Sequence, residues 1–152
     1  MNKEREIALT ETLNISDAEW EVMRIVWTLG EAKSHDIIDN LTQKKDWKAS
    51  TIKTLISRLV KKDYLAADKN ANSFTYRPLI SQNESNDQVG LSVFDNMCAM
   101  CAGHTLLKVV DNVELSKNDI QSLITLLEKR LETAPDEVTC NCLAMSAGKE
   151  EI

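Results

Sequence analysis

Residues 49–62 read ASTIKTLISRLVKK. Ile52, Leu55, Ile56, Leu59 and Val60 recur at i, i+3, i+4, i+7 and i+8, the spacing of one apolar stripe on an α-helix. The opposite face offers Ser50, Thr54, Ser57 and Lys61, flanked by Lys53 and Arg58. Short hydroxyls and long cations suit base edges and phosphates. What lies on either side of this helix decides the fold.

Downstream, YLAAD (64–68) and SFTYRPL (73–79) are strand-like runs separated by KNAN, a turn-forming tip. Upstream, Ser34–Thr42 predicts a short helix with Ile37, Ile38 and Leu41 inward and His35 exposed in its first turn. Before that, ISDAEW announces another helix. Ser16 is its N-cap, Glu19 closes a capping box, and Ile15 and Trp20 are spaced as a hydrophobic staple. Trp20, Met23, Val26 and Trp27 form its stripe, and Gly30 its stop. Three helices followed by a hairpin make a winged helix, with the second and third helices as the helix-turn-helix and the third in the major groove.

The net charge of −6 argues against a nucleic-acid partner, but its distribution argues for one. Residues 44–62 carry seven basic residues and one acidic residue, for +6, which leaves −12 on the rest. Phosphate contacts are short-ranged in physiological salt, so the local stripe matters more than the total. A charge run on a solvated helix face is the plainer reading of such a stripe. No apolar run approaches 18 residues and the N-terminus has no apolar signal region, so the expectation is a cytoplasmic protein without a membrane partner. No P-loop, GxGxxG, HExxH or Ser/His/Asp set is present, so neither an enzyme nor a small-molecule substrate is expected.

After Pro78 the chain changes character. ISQNESNDQ is a polar linker or helix start. Val89, Val93, Phe94 and Met97 then form a helical stripe interrupted by Gly90, and Leu106, Leu107, Val110 and Val113 a second. The last helix repeats the start signals of the first, with Leu115 and Ile120 as staple, Ser116 as cap and Asp119 as its acidic partner. Ile120, Leu123, Ile124, Leu127 and Leu131 line one face. Thin amphipathic helices make a poor core of their own, so a homodimer interface is expected to cover them, with packing back on the first domain as the plainer reading. TAPDEVT breaks the last helix, and the acidic end is expected to fray.

Four cysteines remain. Cys98 and Cys101 form a CxxC within MCAMCAGH, and Cys140 and Cys142 a CxC within TCNCL. In a reducing compartment such pairs favour metal binding or redox sensing over structural disulfides. Four thiolates match the tetrahedron Zn(II) favours, and the same soft ligands select Cu(I) over hard cations. A reversible disulfide switch uses the same pairs. Small core residues are a third reading, apt for Cys98 beside Phe94 and Met97 and poor for a CxC in a polar tail. His104, three residues after Cys101, reads as a helix-start residue, with a substitute ligand as the alternative, and Met97 and Met100 read as core filling, although thioethers can bind Cu(I).

LNISDAEWEVMRIVW, STIKTLISRLVKKDYL, the YRP after the hairpin and VELSKNDIQSLITLLEKRL together resemble the BlaI/MecI/CopY family of repressors. The resemblance spans Leu13 to Leu131. It implies a mainly α fold with a small β-hairpin wing, built as an N-terminal winged helix-turn-helix domain plus a C-terminal helical dimerisation domain. The expected divisions are a tail (1–12), the DNA-binding domain (13–80), the dimerisation domain with CxxC (81–135) and a tail with CxC (136–152). The resemblance further implies a homodimer that represses by binding double-stranded, pseudo-palindromic operator DNA with TACA and TGTA half-sites. Lys48, Ser50, Thr51, Lys53, Thr54, Ser57, Arg58, Lys61, Lys62 and the wing's Lys69 are the expected DNA contacts. One branch of the family answers β-lactams. The CopY branch answers copper, which implies Zn(II) on the DNA-bound form, release by Cu(I), and Cys98, Cys101, Cys140 and Cys142 as one metal site. The sequence departs from that branch, whose cysteines sit as two close CxC pairs. It also has Asp63 where the family commonly has glycine, and Lys48 where a capping hydroxyl is expected.

Overall fold

The computed structural model describes residues 13–144, and its first helix starts where Ser16 caps it. In α1 (Asp17–Leu29) the Ser16 hydroxyl oxygen accepts the Glu19 N–H at 3.2 Å. The Glu19 carboxylate does not reach back to the Ser16 backbone as a capping box requires. It takes the Ser16 hydroxyl hydrogen at 3.1 Å and turns inward, leaving Glu19 only 3% exposed. Gly30, at φ 79°, donates its N–H to the Val26 carbonyl at 2.8 Å and stops the helix in the left-handed region that favours glycine.

A two-residue strand, β1 (Ala32–Lys33), leads into α2 (Ser34–Lys45). This helix continues past the expected end at Thr42 until Asp46 turns left-handed at φ 57°. The third helix, α3 (Ala49–Lys61), starts at Lys48 without a side-chain cap and is followed by Asp63 at φ 64°. The conformation at the helix exit is therefore the one a glycine would supply, held here by an aspartate, one of the few residues that tolerate it. The hairpin is β2 (Leu65–Asn70) and β3 (Ser73–Pro78), and the sheet is antiparallel in the order β1-β3-β2. Ala32 faces Tyr76 across one edge, and Leu65 faces Pro78 across the other. A two-residue strand is too short to show a period-2 pattern, so β1 was not foreseen.

The core takes one stripe from each element. Val22, Met23 and Val26 of α1, Ile37 and Leu41 of α2, Ile52 and Leu59 of α3 and Leu65 of β2 are all essentially inaccessible. Ile38 and Trp27 pack at its margin. The Trp27 indole N–H reaches past the hairpin to the Ile80 carbonyl at 2.9 Å.

The chain divides into two compact units between Gly90 and Leu91, a division inside α4 (Gln82–Asp95). This helix runs through Gly90, which interrupts the apolar stripe as expected but not the helix. A one-turn 3₁₀ segment (Ala99–Cys101), α5 (Ala102–Asn112) and α6 (Lys117–Leu131) complete the second unit. Ser116 and Asp119 form the reciprocal capping box: the Asp119 carboxylate accepts the Ser116 N–H at 3.0 Å, and the Ser116 hydroxyl accepts the Asp119 N–H at 3.1 Å. No residue of α5 or α6 is buried. The expected N-terminal tail and the last residues of the acidic end lie outside the described residues. No helix among the described residues is long and apolar enough to cross a membrane.

Asn70 pairs with Ser73, so the wing turns on Ala71 and Asn72, with Ala71 at φ 53°. A positive φ at the first central residue is the glycine position of a tight hairpin. Ala71→Gly is expected to stabilise the protein by ~0.5–1 kcal/mol. A urea denaturation midpoint below that of the parent would contradict this reading of the turn.

Candidate functional site

Burying Ile52, Leu55, Ile56 and Leu59 on one side of α3 leaves Ser50, Thr51, Lys53, Thr54, Ser57, Arg58 and Lys61 exposed on the other, preceded by exposed Lys48. The Thr54 hydroxyl donates to the Ser50 carbonyl at 3.0 Å. Its hydrogen is thus engaged, and Thr54 presents an acceptor oxygen and a methyl group. That pairing fits an exocyclic amino group or a thymine methyl in a major groove.

The structure sorts the basic stripe. Lys44 and Lys45 stand 3.9 and 3.6 Å from Glu21, which also meets Arg24 at 3.3 Å. Lys62 is turned away from the exposed face: its ammonium lies 2.9 Å from both Glu19 oxygens and donates to the Asn14 carbonyl at 2.9 Å. Among the described residues, Lys48, Lys53, Arg58 and Lys61 form no ion pair. These four unpaired cations share the exposed face of α3 and its start with the hydroxyls. Lys62 was expected with them; sequence spacing cannot show that a buried carboxylate on α1 claims it.

On the wing, exposed Lys69 lies opposite Phe74. Phe74 is 44% exposed and stacks on Tyr76, with ring centroids 6.4 Å apart. Sequence reasoning passed over Phe74, although the alternation in SFTYR already puts it on the face of Tyr76. Arg77 and Asp68 pair diagonally at 3.0 Å on the hairpin.

In the second unit the chain brings Cys140 and Cys142 back to Cys98. The three sulfurs all lie within 4.8 Å of one another, and those of Cys98 and Cys140 are 3.4 Å apart. The side-chain oxygen of Asn141, between the two tail cysteines, accepts the Ala99 N–H at 2.9 Å. Cys101 is not among the sulfurs gathered within that limit. It is exposed at the end of the 3₁₀ turn, its N–H bonded to the Cys98 carbonyl at 2.9 Å. His104 sits in the first turn of α5, outside the trio. Met100 is 61% exposed, so it does not fill a core as expected.

Thiol hydrogen bonds from Cys142 and then Cys140 stabilise a thiolate on Cys98 and lower its pKa to about 7. The same bonds, to Cys140 and then Cys98, push Cys142 up to about 12. The charge on Cys98 raises the Cys101 thiol. Three clustered sulfurs fit a thiophilic ion: a Zn–S bond of ~2.3 Å sets neighbouring sulfurs ~3.8 Å apart, within reach of the spacing found. The group holds three sulfurs and no carboxylate, whereas hard cations favour oxygen donors.

A family model described as penicillinase repressor matches residues 15–129. The chain is 46% identical over 132 residues to an uncharacterized 16.5 kDa protein of the ptsI 3′ region in Latilactobacillus sakei, covering 87% of this chain and 90% of that one. It is 32% identical over 120 residues to the methicillin resistance regulatory protein MecI of Staphylococcus aureus, covering 79% and 98%. The solved CopR repressor structure shares 45% identity over 45% of this chain and 100% of its own, with a TM-score of 0.39.

Two outcomes follow from this geometry. Lys62→Met leaves Glu19 buried without its cation, at a cost of ~3 kcal/mol, and the double variant Glu19→Met, Lys62→Met recovers most of it. Urea denaturation of the three proteins checks this, and equal stability of Lys62→Met and the parent would refute it. In metal-free, reduced protein, Cys98 is about half thiolate at pH 7, whereas Cys142 is protonated. Limited iodoacetamide treatment should therefore alkylate Cys98 well before Cys142, at a rate that rises from pH 6 and levels off by pH 8. Peptide mapping reads the order directly.

Proposed function

The chain belongs to the penicillinase repressor family of transcriptional repressors, and from that premise we propose that it represses copper-homeostasis genes and is released from DNA by Cu(I). The observation that carries the copper reading is the trio of Cys98, Cys140 and Cys142 sulfurs. Soft thiolates without a hard oxygen donor suit Cu(I) and Zn(II). The resemblance to the CopY branch supports the order of events, with zinc on the operator-bound form.

DNA recognition is assigned to the exposed face of α3. Thr51, Lys53, Thr54 and Arg58 meet base edges and backbone, while Lys48, Ser50, Ser57 and Lys61 hold phosphates. Lys69 adds a phosphate contact from the wing. Lys62 drops out of this set, because its charge is already neutralised by Glu19. A pseudo-palindromic site calls for a two-fold dimer whose half-sites lie one helical turn apart. The apolar side chains of α5 and α6 support a homodimer through the second unit: Leu107, Leu127 and Leu131 are 74%, 53% and 76% exposed, and large exposed apolar patches mark interaction surfaces.

The test is operator affinity of the reduced protein with Zn(II) and then Cu(I), on DNA carrying TACA and TGTA half-sites. Cu(I) should weaken binding by ~5–150-fold, the usual range of allosteric coupling. Lys61→Ala should weaken all sequences and lower the salt slope by about one, whereas Thr54→Ala should relax base preference. Lys62→Ala should leave the salt slope unchanged. Unaltered affinity in Cu(I) would make this a repressor of another signal, such as a β-lactam.

A further inference from the structure

Resting on the two-fold dimer of the preceding section, we infer that Trp27 is the positioning residue for half-site spacing. Its indole pins the joint between the winged helix and α4, and Ser85 seats the opening turn of that helix. Together they fix the direction in which α4 leaves the winged helix, and so the separation of half-sites that a dimer can occupy at once.

Three features support this. First, the joint has no loose residue. β3 ends at Pro78 and α4 begins at Gln82, and Leu79, Ile80 and Ser81 between them are all bonded. The Leu79 N–H reaches the Tyr64 carbonyl at 2.9 Å, the Trp27 indole N–H reaches the Ile80 carbonyl at 2.9 Å, and the Ser81 hydroxyl oxygen accepts the Glu84 N–H at 3.1 Å. Second, the anchor is itself held. Trp27 sits on α1, meets Trp20 edge-on with ring centroids 5.2 Å apart, and packs with Ile80 against the core. Third, α4 is seated where it starts. Ser85 has no exposed surface although Glu84 and Asn86 beside it are exposed. Its hydroxyl donates to the Ser81 carbonyl at 2.8 Å, so the small side chain is satisfied within its own helix. A larger one has no room there and must displace the helix.

The polar stretch that reads as a linker in the sequence is therefore a locked joint, and α4 continues from it as one helix to Asp95. DNA makes the direction of that helix matter. Each base pair added between two half-sites moves the second by ~3.4 Å and turns it by ~34° about the duplex axis. Winged helices on a slack tether follow such changes. Winged helices with a fixed exit cannot, and they forfeit the gain from double attachment, ~10²–10⁴-fold where the geometry permits it. Neither Trp27 nor Ser85 lies on α3, so contacts within one half-site do not depend on them.

The experiment uses full-length, reduced protein and a series of duplexes whose TACA and TGTA half-sites differ in separation by single base pairs, together with a duplex holding one half-site. The parent should show one narrow optimum, with affinity falling ~10–100-fold for a one-base-pair change. Trp27→Phe keeps a ring and loses the N–H; it should flatten that preference to ~3-fold or less while its half-site affinity stays within ~2-fold of the parent. Ser85→Leu, which displaces the same helix turn from its other side, should flatten it equally. Ile37→Val loosens the same core away from the joint and should keep the full preference. Gly90→Ala adds a methyl that meets nothing within 4 Å and stiffens the helix interior, so its optimum should be no broader than the parent's. A full preference in both Trp27→Phe and Ser85→Leu overturns the inference, as does a flattened one in Ile37→Val or a broadened one in Gly90→Ala. Light scattering separates the two ways the parent itself can fail. A dimeric parent that accepts every separation equally refutes the locked joint alone, whereas a monomeric parent refutes the two-fold reading and this inference with it.

Discussion

One helix must satisfy two environments at once, and the first unit is arranged around that demand. The apolar stripe of α3 is sealed against α1, α2 and β2, with Ile52 and Leu59 fully buried. Its remaining surface is thereby fixed toward solvent with no freedom to rotate. A turn of the helix about its axis would expose isoleucine and bury lysine, and each fully buried aliphatic side chain is worth ~1.5–3 kcal/mol. The direction in which Lys53, Thr54, Ser57 and Arg58 point is therefore set by residues that never meet a ligand.

The same packing edits the charge of that face. A sequence shows seven cations between Lys44 and Lys62 and invites counting them all as phosphate contacts. In the fold, two acids on α1 take up three of them: Glu21 gathers Lys44 and Lys45, and Glu19 holds Lys62. The pairs differ in kind. Those of Glu21 involve exposed lysines at longer range and contribute little. That of Glu19 is buried at 2.9 Å, with the lysine also bonded to the Asn14 carbonyl, and breaking it strands a charge. The net effect is to concentrate the unpaired positive charge on the exposed side of α3.

What the sequence disclosed, and what it hid, divides by range. Ser16 with Gly30, and Ser116 with Asp119, act within a few residues, so the ends of α1 and the start of α6 were legible. The winged-helix order was legible too, because each element carries its own period. The capping box of α1 was misread for a tertiary reason: Glu19 has the spacing to cap but is drawn inward by a lysine 43 residues away. Strand β1 exists only because β3 offers it a free edge. The four cysteines were read as one set; in the fold Cys98, Cys140 and Cys142 meet, and the Cys101 thiol bonds to Cys98. Their actual grouping depends on how the chain returns after α6 and on the Asn141 hydrogen bond, neither of which has a local signature.

The second unit lacks the sealed interior of the first, and that difference bears on how a small ligand could act there. In the first unit, each core residue is locked by several elements, so a displacement costs many contacts together. In the second, α5 and α6 bury nothing, and the CxC arm is held to the 3₁₀ turn through Asn141 and the cysteine sulfurs. An arm held by so few contacts has a small free energy of detachment. Coupling of ~1–3 kcal/mol is then large beside what holds the arm and small beside what holds the winged helix. A ligand with a modest preference between arrangements can redistribute the arm while the winged helix keeps its shape. Cys98 lies just beyond the end of α4, the helix in which the two units meet along the chain. Weak local structure beside a continuous helix is the physical condition for a regulated segment. The absence of a buried core in α5 and α6 therefore suits regulation as well as association.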